Sequence, residues 1–377
     1  MVRAQERNSM HFIWLSVVYI GTLVLGNKYD PHLFPSRGPF FEGWYIRLVD
    51  SYNGNSLGLL FGQVLPSQSN SFQKYPPALC SILVRACSVT GCKLVSYDAA
   101  FNSSDVIVRV RGEPVHQNPD DISPANFTWS AENAENTVFF QTDAVQSSFQ
   151  VKLGNVSLYG KLSSPLPWGP NGEGPGGWVD KLPLPLHWFV YSLRSAVVSY
   201  EFKNGKEIVY RGRQGTAHME KNWGKSFPKA WIWSQGISPN NASYAISGGP
   251  VQIGPLAVTA YLFGYRNPLK DISIDFHPYD SRVSALEDGC RGFVNVTAKG
   301  LIHSVNLYVT ADLTSFSQCL YGPERQGFRP VCKESYEASA AISIYRFDDL
   351  IDKQFLTNVA LEFGGDHVCG GCPSHTR

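Results

Sequence analysis

The stretch His218-Met-Glu-Lys-Asn-Trp-Gly-Lys-Ser-Phe-Pro-Lys-Ala-Trp-Ile-Trp-Ser-Gln-Gly236 is typical of a β-strand, a turn and a second β-strand. Because successive side chains of a strand point to opposite faces, His218, Glu220 and Asn222 fall on one face of the first strand. Gly224 then interrupts the run. A core strand would carry aliphatic residues here, so a carboxylate in line with an imidazole indicates a candidate site.

Aromatic residues dominate the rest of this stretch. It holds three of the nine tryptophans of the chain within eleven residues. Met219, Lys221 and Trp223 fall on the other face of the first strand, whereas Trp231 and Trp233 share one face of the second strand. Large aromatic faces beside titratable groups support the interpretation of this stretch as a site.

The composition narrows the possible function classes. The chain has 377 residues, of which 43% are apolar, and this is enough for two domains with a sizeable core. Its 32 basic and 31 acidic residues nearly balance, which argues against a nucleic-acid surface. The sequence has no glycine-rich phosphate loop and no Gly-x-Ser-x-Gly elbow.

Short strand-like segments predict an all-β fold. The 34 glycines and 24 prolines interrupt these segments at regular spacing, and Asn53-Gly54 and Asn204-Gly205 are strong hairpin signals. The pattern is typical of an antiparallel barrel or sandwich. We expect the following divisions: 1–26 as a signal peptide or signal anchor, 38–165 as a first β domain, 166–186 as a Pro/Gly-rich connection, 187–363 as a second β domain, and 364–377 as a Cys/Gly-rich tail.

The N-terminus is typical of a targeting segment. Arg3 and Arg7 precede an uncharged apolar run from Phe12 to Leu25, which has the length of a secretory h-region. Cleavage after Gly26 would give a secreted or lumenal protein. An uncleaved segment would instead anchor the protein and associate it with the membrane.

Cysteines and sequons also indicate an oxidising compartment. The eight cysteines are an even number, as expected where disulfides form. Three interpretations of Cys369 and Cys372 are open: a structural disulfide, a frayed end, or a zinc site completed by His367 and His375. We prefer the first two, which involve no metal. Asn-x-Ser/Thr sequons predict glycosylation at Asn102, Asn126, Asn155, Asn241 and Asn295.

A second candidate carboxylate lies early in the chain. Phe40, Glu42 and Trp44 share one face of a predicted strand, and Glu42 is the single charge on that face. The structural alternative for Glu42 is an ion pair at the rim with Arg37 or Arg47.

Two motifs resemble those of the tocopherol cyclase family. Phe41-Glu-Gly-Trp-Tyr45 is similar to the opening motif of that family, and Glu220-Lys-Asn-Trp-Gly-Lys-Ser-Phe-Pro-Lys-Ala-Trp231 is similar to its central motif. Gly174-Pro-Gly-Gly-Trp178 lies between them in the same order, and the resemblance spans residues 39–363. It implies two lipocalin-like antiparallel β domains of barrel or sandwich type. It also implies closure of a chromanol ring from a prenylated quinol or phenol, without metal or other cofactor.

The implied reaction gives these residues roles. A general acid protonates the prenyl double bond, the phenol oxygen attacks the resulting tertiary carbocation, and water is kept out. An apolar aromatic pocket suits a carboxylic acid because desolvation raises its pKa. In the implied reaction, Glu220 or Glu42 is the acid, and His218 or Asn222 orients the phenol. Tyr45 donates a hydrogen bond to the head group. The cavity is lined by Trp44, Trp223, Trp231 and Trp233.

Other interpretations of the same residues stay open. Glu220 could form a salt bridge with Lys221, and the segment from Trp223 to Pro228 could be a barrel corner. The chain could be a secreted lipocalin-like carrier, since a calyx can hold an isoprenoid or another hydrophobic small molecule unchanged. It could also be a glycosylated structural domain without a ligand. An enzyme needs a desolvated carboxylic acid that faces the ligand, whereas a carrier tolerates its loss.

Overall fold

The computed structural model of the chain describes residues 27–32, 38–66, 75–110, 113–114, 125–143, 145–169, 172–181, 184–225, 227–253 and 256–373. The predicted signal segment 1–26, Arg37 and His375 lie outside these ranges. Within them, no helix has both the length and the apolar character needed to cross a membrane.

The described residues form two large antiparallel sheets and no α-helix, which confirms the predicted all-β fold class. The first sheet consists of β1 (Phe40–Asp50), β2 (Asn55–Leu65), β3 (Ala78–Ser88), β4 (Gly91–Phe101), β5 (Val106–Val110), β6 (Glu113–Pro114), β7 (Phe127–Glu132), β8 (Asn136–Thr142), β9 (Gln146–Leu153), β10 (Val156–Leu166), β11 (Leu186–Asn204), β12 (Glu207–Gly212) and β13 (Thr216–Gly224). Its order is β4-β3-β2-β1-β13-β11-β10-β9-β8-β7-β5-β6, and β12 pairs with β11.

The second sheet is built from the later part of the chain. It consists of β14 (Ala230–Ile237), β15 (Ser243–Ile253), β16 (Leu256–Asn267), β17 (Ile272–Phe276), β18 (Arg282–Asp288), β19 (Phe293–Lys299), β20 (His303–Thr310), β21 (Leu320–Glu324), β22 (Gly327–Arg346) and β23 (Asp349–Gly365). Its order is β17-β16-β15-β14-β23-β22-β20-β19-β18, and β21 pairs with β22. Short 3₁₀ turns occur at Ser103–Asp105, Gly177–Lys181, Pro268–Lys270 and Leu313–Ser315.

The stretch 218–236 supplies an interior strand to each sheet. β13 lies between β1 and β11, so that Glu220 is opposite Tyr45 on one side and Val190 on the other. β14 lies between β15 and β23. The chain therefore passes from the first sheet to the second within residues 225–229.

The change of sheet falls later than the Pro/Gly-rich segment 166–186. β11 pairs with β10 and β13 of the first sheet, so residues 187–224 belong to that sheet although the sequence groups them with the second domain. Part of the Pro/Gly-rich segment packs as an ordered crossing loop. Trp168 is buried there, and its ring meets that of Trp188 edge to face at 5.7 Å.

Both Asn-Gly turns join antiparallel hairpins, as predicted. β1 pairs with β2 and β11 pairs with β12 across these turns. Gly54 and Gly205 have φ values of 69° and 60°, in the left-handed region that glycine adopts without a Cβ penalty. The segment 355–363 belongs to the long strand β23.

Apolar side chains form a core in each sheet and a further cluster between the sheets. Trp44 and Trp129 lie in the first core, and Val296 and Ile342 lie in the second. The cluster between the sheets draws residues from both and includes Trp188, Trp231, Trp233 and Tyr336. The two sheets thus bury their facing surfaces against each other, and aromatic residues dominate the contact.

Disulfides account for six of the eight cysteines. The pairs are Cys87–Cys92, Cys290–Cys369 and Cys319–Cys372. The zinc alternative for the tail is therefore wrong, because both of its thiols are in disulfides. Cys80 and Cys332 are free and buried, and no cluster in the described part of the chain has the ligands for a metal ion.

Candidate active site

A cavity of about 390 Å³ lies where the two sheets face each other. Its walls are mainly apolar, with Trp188 from β11 and the pair Trp231 and Trp233 from β14. Its polar lining includes Tyr45, Glu220, Asn222, Glu334 and Glu362, together with Asp180, His187, Ser247 and Tyr279. A pocket of this size, apolar with a few convergent polar groups, has the properties of a small-molecule site.

Glu220 projects from β13 into this cavity and is only 4% exposed. Its Oε2 lies 2.9 Å from Nε2 of His218 and accepts a hydrogen bond from Nε1 of Trp233, also at 2.9 Å. Nδ1 of His218 has no hydrogen-bond partner among the described residues. The tautomer with the proton on Nε2 therefore fits best, and His218 then donates to Glu220.

Glu334 projects from β22 and is 1% exposed. Its Oε1 accepts a hydrogen bond of 2.8 Å from the Tyr45 hydroxyl, which also lies 2.7 Å from the Tyr336 hydroxyl. Its Oε2 is buried without a hydrogen-bond partner in the described part of the chain. Burial and, second, the charge of Glu362 raise the pKa of Glu334 well above its usual value.

Glu362 projects from β23 and is half-buried. Its Oε1 accepts a hydrogen bond of 2.5 Å from Nε1 of Trp231. Burial raises the pKa of Glu362 to about 7, opposed by hydrogen bonds from Trp231 and the Cys332 thiol and assisted by the charge of Glu220. The cavity thus contains carboxyl groups that hold a proton near neutral pH.

Sequence reasoning missed Glu334 and Glu362, although each has a local signal. Glu362 is the single charge in the apolar run Val359-Ala-Leu-Glu-Phe363. Glu334 is the single charge at alternate positions from Cys332 to Ile342, which is the same pattern that drew attention to Glu42. What the sequence could not supply is the sheet contact that brings both residues to Glu220.

Glu42, the other predicted acid, lies on the opposite side of the first sheet. It is buried, and its Oε2 lies 3.1 Å from Nζ of Lys221 and accepts the backbone N–H of His32 at 2.7 Å. Burial raises the pKa of Glu42, and the Lys221 ammonium opposes that shift. The predicted alternative partner Arg47 instead donates to Oε1 of Gln235, at 2.8 Å, in the space between the sheets.

The predicted site residues therefore divide between two faces. Tyr45, Glu220, Asn222, Trp231 and Trp233 line the cavity, and His218 contacts it through Glu220. Trp44 and Trp223 lie in the core of the first sheet, where their rings flank the Lys221 ammonium at 4.8 and 5.4 Å. Alternation along β1 and β13 explains this division, because neighbouring residues of one motif point to opposite faces.

The five sequon asparagines are all exposed. They occupy turns, strand ends and one outward-facing strand position, and they are Asn102, Asn126, Asn155, Asn241 and Asn295. Exposure is a requirement for glycan attachment, so glycosylation stays a prediction that the fold permits.

The arrangement suits proton transfer to an apolar substrate. A carboxylic acid that keeps its proton near neutral pH is an effective general acid. Tryptophan rings line the cavity, and an aromatic face stabilises a cation by about 0.5–2 kcal/mol.

Comparison with known proteins relates the chain to one sequence family. The model of a family described as tocopherol cyclase-like matches residues 38–365. No curated protein matches the chain. The chain is similar in structure to a candidate AttH from Nitrosomonas europaea, with a TM-score of 0.46 and 14% identity over 89% of this chain and 99% of that one. It is also similar to kievitone hydratase from Nectria haematococca, with a TM-score of 0.39 and 8% identity over 91% of this chain and 93% of that one.

Proposed function

The chain belongs to the tocopherol cyclase-like family, and from this premise we propose that it closes a chromanol ring on a prenylated quinol or phenol by acid catalysis. The observation that carries the proposal is the set of glutamates in an aromatic cavity, namely Glu220, Glu334 and Glu362. The enzyme would be an intramolecular lyase or isomerase of the tocopherol cyclase type, because the reaction adds and removes no atoms overall.

The chemistry requires few protein groups. Protonation of the prenyl double bond forms a C–H bond and leaves a tertiary carbocation. The phenol oxygen forms the C–O bond of the new ring and releases its proton to a base. None of these steps requires a metal ion or a redox cofactor, so the chain's own acids, bases and aromatic faces are sufficient.

The walls of the cavity suit the proposed substrate. Trp188, Trp231 and Trp233 would contact the isoprenoid part, where burial is worth about 25 cal/mol per Å² of apolar surface. Tyr45 and Asn222, two of the polar side chains that line the cavity, would bind the phenol or quinol head group. His218 would act through Glu220, whose position it fixes.

The cellular setting is part of the proposal. Three disulfides are compatible with a lumenal or extracellular protein. We propose that the chain works in the secretory pathway or after secretion. A membrane attachment through residues 1–26 is the alternative arrangement.

The competing function is a carrier that binds the same hydrophobic ligand without reacting it. The apolar cavity would suit a carrier equally well, but buried carboxyl groups would not be needed there, since burying polar groups costs free energy. The two functions therefore differ in whether the carboxyl groups act on the ligand.

Mass spectrometry in D₂O distinguishes these functions. Ring closure does not change the mass in H₂O, whereas protonation from D₂O leaves one non-exchangeable deuterium on the former prenyl carbon. We expect purified protein to convert a prenylated quinol into a ring-closed product one mass unit heavier. Glu220→Gln should slow this conversion while ligand binding persists. Ligand that is bound but neither cyclised nor deuterated by the unmodified protein would identify a carrier.

A further inference from the structure

The three carboxyl groups of the cavity are not equivalent. In the register of β22 and β23, Glu334 is directly opposite Glu362, and Glu362 is in turn opposite Trp233 of β14. Residues opposite each other on one face of an antiparallel pair have Cβ atoms about 4.5–5.5 Å apart. Glu334 and Glu362 are thus cross-strand neighbours, whereas Glu220 comes from the other sheet.

Resting on the proposed function, we propose that Glu362 is the proton donor of the ring closure, that Glu334 is the positioning residue beside it, and that Glu220 accepts the phenol proton. This assignment differs from the one implied by the sequence, in which Glu220 or Glu42 is the acid.

The surroundings of Glu334 favour a neutral carboxyl group. One of its oxygens accepts from Tyr45, and the other is buried without a hydrogen-bond partner among the described residues. An ionised carboxylate in that position would be costly. Two adjacent buried carboxyl groups also resist double ionisation, because like charges at short range raise each other's pKa. Glu334 therefore stays protonated while Glu362 exchanges its proton.

The surroundings of Glu362 favour proton delivery. It is the most exposed of the three glutamates, while the Trp231 N–H fixes one of its oxygens. Its pKa of about 7 is close to the pH at which a general acid works best. Glu220 lies on the other side of the cavity and accepts N–H groups from His218 and Trp233 at one oxygen, an arrangement suited to a proton acceptor.

The step balances without an added reactant. The proton of Glu362 forms the new C–H bond, and the phenol oxygen forms the C–O bond to the carbocation. The phenol proton passes to Glu220. Exchange with solvent after product release returns Glu362 to its acid form and Glu220 to its carboxylate, so one turnover gains and loses no net proton.

A matched set of variants tests the assignment. We expect Glu362→Gln to bind a prenylated quinol but to lose deuterium incorporation and ring closure by at least about 100-fold, the usual contribution of a general acid. Glu324→Gln is the control and should retain the activity of the unmodified protein, because Glu324 of β21 pairs with Arg329 outside the cavity. Ring closure by Glu362→Gln at the unmodified rate would overturn the assignment while leaving the proposed function intact.

The pH dependence of kcat distinguishes a catalytic role of Glu362 from a purely structural one, because a structural role would leave the profile unchanged. The acid must be protonated, so kcat should fall as the pH rises through about 7. Glu334 and Cys332 from β22 and Glu220 from β13 lie near Glu362, whereas Tyr45 and Arg47 from β1 act on its neighbour Glu334. Trp231→Phe removes a hydrogen bond that lowers the pKa of Glu362, so the alkaline limb should move to higher pH. Glu220→Gln removes a charge that raises that pKa, so the limb of its residual activity should move to lower pH.

The outcomes separate the two proposals. If the alkaline limb of the kcat profile lies at the same pH in Trp231→Phe and Glu220→Gln as in the unmodified protein, a group other than Glu362 donates the proton. The protein would still be a cyclase. Absence of any cyclised product from the unmodified protein would overturn the proposed function, and the assignment of Glu362 would fall with it.

Discussion

Alternation along β13 places two kinds of charged group next to each other in sequence and on opposite faces in space. Glu220 faces the cavity, whereas Lys221 faces the core of the first sheet and is completely buried. The ammonium of Lys221 is compensated by Glu42 and by two tryptophan rings. One motif thus supplies Glu220 to the site and its neighbour Lys221 to the core of the first sheet.

The buried pair of Glu42 and Lys221 gives the first prediction. Burial raises the pKa of Glu42 despite the nearby ammonium, so the pair itself is not a large source of stability. Glu42→Gln nevertheless removes a carboxylate that faces the buried Lys221 ammonium, and we expect the free energy of unfolding to fall by about 3 kcal/mol. Urea denaturation measures this. Glu201→Gln, which breaks partly exposed pairs with Lys203 and Arg211, is the control and should have a much smaller effect.

The titration of Glu362 gives the second prediction. Its pKa rises from 4.5 to about 7 in the folded chain, so the folded state binds this proton more tightly than the unfolded state. The resulting stability is complete below pH 4.5 and is lost as the pH rises through 7. The free energy of unfolding of the unmodified protein, taken relative to that of Glu362→Gln, should therefore fall by up to about 3 kcal/mol from pH 4.5 to pH 8. A difference that is constant with pH, measured by urea denaturation, would contradict this.

At the residue scale, the period of two predicts only part of the site. It correctly places Glu220 with Asn222 on one face and Lys221 on the other. It cannot bring Glu334 and Glu362 to that face, because this depends on the register of β22 and β23 and on the approach of the second sheet to the first. Local patterns report the direction of a side chain within its strand, whereas the glutamates of the site come from β13 and from the hairpin of β22 and β23, which lies much later in the chain.

At the scale of elements, the transition from β13 to β14 depends on Gly224. This residue has a φ of 152°, and a Cβ on it would lie 2.3 Å from the backbone oxygen of Pro185. No other amino acid fits there without a shift of the backbone, because the clash is with main-chain atoms. The glycine ends the first sheet and lets the chain cross to the second.

Substitution of Gly224 gives the third prediction. We expect Gly224→Ala to lower the free energy of unfolding by about 3 kcal/mol, from backbone strain and the clash together. Gly205→Ala is the matched control, since Gly205 also has a positive φ of 60° but its Cβ would meet nothing within 4 Å; its cost should be about 1 kcal/mol. Thermal and urea unfolding compare the two variants. Equal losses would mean that the close approach to Pro185 is unimportant.

Element types were predictable from the sequence to a greater extent than element partners. The Asn-Gly turns and alternating segments predict the hairpins, and the structure contains them. The accumulation of proline and glycine predicts a connection between domains at 166–186, and the chain passes from the first sheet to the second at 225–229. The reason is that β11 carries the same alternating pattern whichever sheet it joins, and only its pairing with β10 and β13 decides.

At the scale of the whole molecule, a buried cation helps hold the cavity walls together. Arg47 of β1 donates to Oε1 of Gln235 on β14 and to the backbone oxygen of Asn358 on β23, and its guanidinium lies 4.6 Å from the ring centre of Tyr336. One side chain of the first sheet thus contacts three strands of the second. The cavity depends on this contact because its carboxyl groups come from both sheets.

Two disulfides fix the C-terminal tail to the second sheet, and a third closes a single hairpin. Cys290 and Cys369 are 79 residues apart, and Cys319 and Cys372 are 53 apart, whereas Cys87 and Cys92 are only 5 apart. In the chain-entropy description, a disulfide stabilises by restricting the unfolded chain, and its effect grows with the logarithm of the loop length. The tail disulfides should therefore contribute more to the stability of the molecule than the hairpin disulfide.

This difference gives the fourth prediction. Replacing Cys290 and Cys369 by alanine should lower the free energy of unfolding by about 4–5 kcal/mol, and replacing Cys87 and Cys92 by about 2 kcal/mol. Both double variants remove one disulfide and two sulfur atoms, so the comparison isolates the loop length. Urea denaturation under oxidising conditions measures both. A loss from the hairpin pair as large as that from the tail pair would show that local contacts, and not restriction of the long loop, set the contribution of these disulfides.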